Sequence, residues 1–133
     1  MSLFELKNQL VVDLDLFEKM NKTATQLLDC TEKGQYTQAI VLFSVMGREY
    51  GSIVKNATVE EKSDESALLE VLKKADDTEV QYILCKWQGN GIDIPSYKFR
   101  KMLCALNSKN SESLMFVMTK NGVSGIKMSE TMK

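Results

Sequence analysis

The sequence predicts an α+β domain: a central, mostly antiparallel sheet of about five strands, flanked by helices, with a long N-terminal helix. Three observations predict it. Apolar residues recur at helical spacing over the first thirty positions. Short, β-branched apolar runs follow, separated by glycine-bearing and Asn-Gly turns. Two further helical stretches alternate with those runs rather than clustering at one end. At 133 residues the expectation is a single domain, 1–133, with an N-terminal helical segment at 1–33, an α+β core at 36–128 and a frayed polar tail at 129–133.

The first helix rests on Leu3, Leu6, Leu10, Leu14 and Phe17, spaced by three and four and so on one face, with Ala24, Leu27 and Leu28 continuing a weaker stripe. Val11 to Leu16 also alternates, which puts a break near Asp13. Gly34 is the stop signal. Gln38 to Val45 is apolar on both faces and reads as a central strand. Met46 to Gly51, with two glycines and two charges, reads as a hairpin loop into a second strand, Ser52 to Val59.

Ser63-Asp64-Glu65 starts a helix, because Ser63 can cap free amides and the acids suit the positive end of the helix dipole. Ala67, Leu68, Val71, Leu72 and Ala75 give it one apolar face, and Asp76-Asp77 break it. Glu79 to Trp87 is a third strand, with Val80, Tyr82 and Leu84 on one side and Ile83, Cys85 and Trp87 on the other. Gln88 to Gly91 turns, and Pro95 forbids a regular central strand after it.

Tyr97 to Leu106 fits two periods. As a helix it aligns Phe99, Met102, Leu103 and Leu106; as a strand it buries Lys101, which costs free energy without a partner, so helix is the preferred reading. Asn107 to Ser113 is polar loop, Leu114 to Met118 a strand, Asn121-Gly122 a second turn, and Val123 to Met128 a returning strand.

Composition excludes more than it establishes. The chain has 17 Lys+Arg against 18 Asp+Glu, a formal charge of −1, and no histidine. Balanced charge argues against broad nucleic-acid binding. The absent histidine removes the commonest general base and the commonest metal ligand. Cys30, Cys85 and Cys104 are far apart, with no C-x-x-C pair, so neither a disulfide scaffold nor a structural zinc site is expected. Nothing reads as a secretory signal, and the longest apolar run, Ala39 to Phe43, is far short of the roughly 20 residues that span a bilayer. Those features predict a soluble, cytoplasmic protein with reduced thiols and no membrane partner.

The search for chemistry returns little. No Gly-rich phosphate loop is present, and Gly89-Asn90-Gly91 reads as a turn. The acid pairs Glu60-Glu61, Asp64-Glu65 and Asp76-Asp77 are explained by helix ends and surface. No catalytic residue, metal ligand or cofactor site is assigned, and the missing histidine counts toward a binding role. Lys98, Arg100 and Lys101, with Lys109 beyond, form a small basic group beside Tyr97 that could dock an acidic partner.

At about residues 36–106 the chain resembles the actin-depolymerising factor/cofilin homology domain. Ala39 to Val45 looks like that family's first central strand, Ile53-Val54-Lys55 its second, Ser63 to Leu72 its next helix and Val80 to Cys85 the following strand. Pro95, Lys98, Arg100-Lys101-Met102 and Ala105 look like the Lys-Met segment that opens the family's actin-binding helix. The resemblance implies a noncatalytic, cytoskeletal, actin-binding module without a cofactor, whose partner-binding residues are Lys98, Arg100, Lys101, Met102 and Lys109. It also implies a regulatory phosphosite at Ser2, where added negative charge would repel an acidic partner. The alternative is a subunit of a larger assembly, of roadblock, longin or profilin-like kind, that forms homo-oligomers through the N-terminal helix or a sheet edge. A small enzyme with a carboxylate or Cys centre is the third reading.

Overall fold

A computed structural model describes residues 12–32, 37–55, 66–89 and 91–132. Among them the first helix, α1, runs Leu14–Asp29, and the break expected near Asp13 is its cap: the Asp13 carboxylate accepts from the Leu16 amide at 3.0 Å. Met20, Ala24 and Leu28 are its buried line. The part of the helical segment expected at 1–11, Ser2 included, and the proposed stop at Gly34 lie outside the described residues.

Strand β1, Gln38–Ser44, is buried on both faces because it sits between β2, Glu49–Val54, and β3, Val80–Trp87. The β1–β2 connection is tighter than the sequence reading had it, turning at Gly47 with φ +83°. Gly51 lies inside β2, where a Cβ would stand 2.9 Å from the Leu27 Cδ1 of α1. That glycine serves close approach of helix to strand, not a loop. Helix α2 is described over Ser66–Lys74, so its expected capping residues, 63–65, lie outside the described part.

β3 pairs antiparallel with β1, and its other edge is shared. The two-residue β4, Ile92–Asp93, pairs with Cys85 and Lys86, while β5, Leu114–Thr119, pairs in parallel with Tyr82 and Ile83. A register shift between Phe43 and Ser44 moves Val80 to the opposite face from Tyr82 and Leu84. Helix α3 spans Tyr97–Leu106, the bounds read from the sequence, and Lys101 is exposed on it as the helical reading required. A 3-10 turn, Ser108–Glu112, replaces the expected loop. β6, Gly122–Lys127, returns antiparallel to β5 through a turn in which Gly122 has φ +108°. The last described residues form a 3-10 turn, Met128–Thr131, with Met128 fully buried.

The result is an α+β sandwich of three layers. The six-stranded sheet runs β2-β1-β3-β5-β6, with β4 beside β3. On one face α1 covers Ala39, Val41, Leu84 and Phe116, where Phe116 packs edge-on to Phe17 and stacks on Tyr82. On the other face α2 and α3 cover Ile40, Leu42, Ile83, Cys85 and Met115. No helix among the described residues is long and apolar enough to cross a membrane.

Candidate functional site

One end of the sheet holds the start of β1, the ends of β2 and β3, and the start of α3. β1 begins there at Gln38, opposite both Val54 at the end of β2 and Trp87 at the end of β3. β4 and Pro95 then lead directly into α3. Gln38 is buried, and the Trp87 indole N–H points at the Asp93 carboxylate, 3.4 Å away. The Ser96 hydroxyl caps α3 by accepting from the Phe99 amide at 3.1 Å. Trp87, Asp93 and the half-exposed Tyr97 are aromatic and acidic groups at this end. In sequence Trp87 reads as sheet core, and it does pack, partly buried, against the cluster on the α2–α3 side; Asp93 carried no reading.

The basic group read from the sequence is divided. The Arg100 guanidinium donates to the Pro95 carbonyl and the Thr131 carbonyl, each at 3.0 Å, and lies 5.5 Å from the centre of the Tyr97 ring. It fastens the final turn of the chain to α3. Met102 packs against the core, and Lys101 and Lys109 are exposed, the latter in the 3-10 turn. Lys98 is half-buried.

The opposite end of the sheet carries a different polar cluster. Asp77 is buried and accepts from the Ser44 hydroxyl at 2.7 Å and from the Tyr50 hydroxyl at 2.8 Å. Burial, and then the Asp77 carboxylate beside it, push the Tyr50 phenol up. Burial likewise pushes the Cys104 thiol up, so it is a poor thiolate, while Cys85 is buried in β3 and Cys30 is exposed past α1. An apolar groove of about 430 Å³ runs between α2 and α3, lined by Leu69, Met102, Ala105 and Leu106, with the Glu70–Lys73 ion pair at its rim.

No family model matches the chain, and no curated protein matches its sequence. The solved structures do. The chain has the fold of cytidine deaminases. The cytidine deaminase of Mycobacterium leprae superposes with a TM-score of 0.63 at 15% identity, over 86% of this chain and 94% of that one. The enzyme of Mycobacterium tuberculosis gives 0.62 at 13%, over 90% and 94%, and that of Bacillus anthracis 0.65 at 12%, over 86% and 85%.

These likenesses correct the sequence reading. The chain does not have the actin-depolymerising factor/cofilin frame, so actin-binding, the cytoskeletal assignment and the actin partner fall with it. The noncatalytic reading and its assembly-subunit alternative also fall, since each of these neighbours is named for an enzyme. The physical reason is plain. The matched segments were three apolar strands and two amphipathic helices, which any sheet covered by helices must contain, and the supposed actin-facing Met102 turns to the core.

Zinc deaminases hold their metal with a His or Cys from an H-x-E-type segment and two Cys from P-C-x-x-C. The donor set here does not fit. The sole proline, Pro95, is followed by Ser96 and Phe99 where the two cysteines would stand. The one Cys-x-Glu triplet, Cys30-Thr31-Glu32, follows α1 on the opposite face of the sheet. Among the described residues no three His, Cys, Asp or Glu side chains converge.

Proposed function

We propose that this chain takes a pyrimidine nucleoside or its base at the end of the sheet where α3 begins. The observation that carries the reading is the extent of the fold likeness, which runs nearly the full length of both partners in each comparison. The local chemistry supports it. Trp87 and Tyr97 supply aromatic faces on which a base can stack, and Asp93 is an acceptor beside Trp87 for a ring or exocyclic N–H. No hydrolytic step through zinc is part of the reading, because the residues at the proline-led turn do not hold that metal.

Thermal melting with cytidine, deoxycytidine, uridine and, as a purine control, adenosine tests it. A ligand at about 100 times its Kd adds about 2.7 kcal/mol to stability, which moves the melt by several degrees. The expected outcome is a rise with at least one pyrimidine and none with adenosine, reduced when Trp87→Leu removes the indole. Release of ammonia, followed in parallel, reads whether binding leads to deamination. No shift with any pyrimidine at millimolar concentration overturns the reading.

A further inference from the structure

The start of α3 differs from the proline-led turn of zinc deaminases at both cysteine positions. P-C-x-x-C supplies two thiolates one helical turn apart, both turned toward a metal. In this chain both positions are committed elsewhere. The Ser96 oxygen faces its own helix and accepts from the Phe99 amide. The Phe99 ring has no exposed surface and lies in the cluster formed by Leu68, Leu69, Leu72 and Leu103. The same stretch carries three cations, Lys98, Arg100 and Lys101, and no ionised donor. A divalent ion placed there would meet a phenyl ring and a hydroxyl already used as a cap, with no carboxylate or thiolate from this stretch to hold it.

We infer that the proline-led turn which holds zinc in zinc deaminases is, in this chain, a capped and core-packed helix start, so that any ligand taken at this end of the sheet is bound without a metal ion. Phe99 gives the conversion its stability. It extends the α2–α3 interface by one aromatic ring. The helices α2 and α3 are therefore joined by apolar contact, and their junction does not depend on metal supply.

Zinc content by mass spectrometry of the intact protein, prepared without chelator, tests this together with melting in EDTA and in added zinc chloride. The expected content is below about 0.1 zinc per chain, with a melt that EDTA leaves in place. About one zinc per chain surviving dialysis against EDTA, or a melt lowered by more than about 5 °C on chelation, overturns the inference. Ser96→Ala separates the two roles of that residue. It should lower the melt through loss of the cap without changing metal content, and a fall in bound zinc would overturn the inference. The outcome is independent of the nucleoside reading. A zinc-bearing protein that binds cytidine sinks only this inference, and a zinc-free protein that binds no pyrimidine sinks only the other.

Discussion

Asn110 has no exposed surface, and its carboxamide is wholly engaged with backbone. Its oxygen accepts from the Val80 amide at 2.8 Å, and its nitrogen donates to the Thr78 carbonyl at 3.0 Å and the Leu103 carbonyl at 2.9 Å. One side chain thus ties the start of β3, the end of α3 and the 3-10 turn between α3 and β5. Ser113 repeats the device, donating from its hydroxyl to the Val80 carbonyl. In sequence this stretch read as polar loop, because polar residues between apolar runs carry no sign of whether they face water or backbone. Asn110→Ala would leave the Val80 amide and the Thr78 carbonyl without that partner, at about 1–3 kcal/mol each, while the Leu103 carbonyl keeps the Asn107 amide at 3.2 Å. We expect a loss of about 3–5 kcal/mol in urea unfolding. A loss under about 1 kcal/mol would mean that water reaches these groups and that the tie is not structural.

At the scale of elements, Gly51 sets how closely α1 lies on β2. An added Cβ would meet Leu27 Cδ1 at 2.9 Å, and that atom is the free end of a flexible side chain. Gly51→Ala should therefore cost about 1 kcal/mol or less, since Leu27 can turn aside, whereas Gly51→Val should cost about 1–3 kcal/mol by overpacking. Equal stability of the two variants in thermal unfolding would show that α1 does not press on the strand there. This glycine was misread as part of a loop because a glycine beside Arg48, Glu49 and Tyr50 looks the same in sequence whether it turns the chain or admits a neighbour. Tyr97–Leu106 fitted two periods in sequence, and only the cost of burying Lys101 in a strand favoured the helix that forms; the Ser96 cap was not read. The parallel pairing of β5 with β3 spans only Tyr82 and Ile83 and depends on where α3 sets the chain down, which no local pattern encodes. The shift at Phe43–Ser44 likewise moved Val80 across the sheet against its alternation.

At the scale of the molecule, the layers were legible and the likeness to cytidine deaminases was not. Hydrophobic period reports which face of an element is buried, and many folds bury the same faces. The motif by which a sequence shows zinc deaminase chemistry is made of metal ligands, and after its proline this chain has Ser96 and Phe99, so the likeness lies in the fold and not in local sequence. What remains to hold it is packing on two sides of one sheet, and the two sides are not equivalent. Among the described residues, the α2–α3 side is closed by two helices and the 3-10 residue Met128, whereas α1 is the one helix on the other side. α1 also answers a buried charge: the Lys86 ammonium on β3 donates to Asn21 Oδ1 at 3.1 Å and to Thr25 Oγ1 at 2.8 Å. Removing residues 1–32 would bare Ala39, Val41, Leu84 and Phe116 together and leave Lys86 without either acceptor. The shortened chain should then lose its cooperative melt and bind the dye ANS, as a state with secondary structure but no fixed packing does. If it instead melts cooperatively within about 5 °C of the intact chain, the sheet and the α2–α3 layer are self-sufficient, and α1 is an addition to the core rather than half of it.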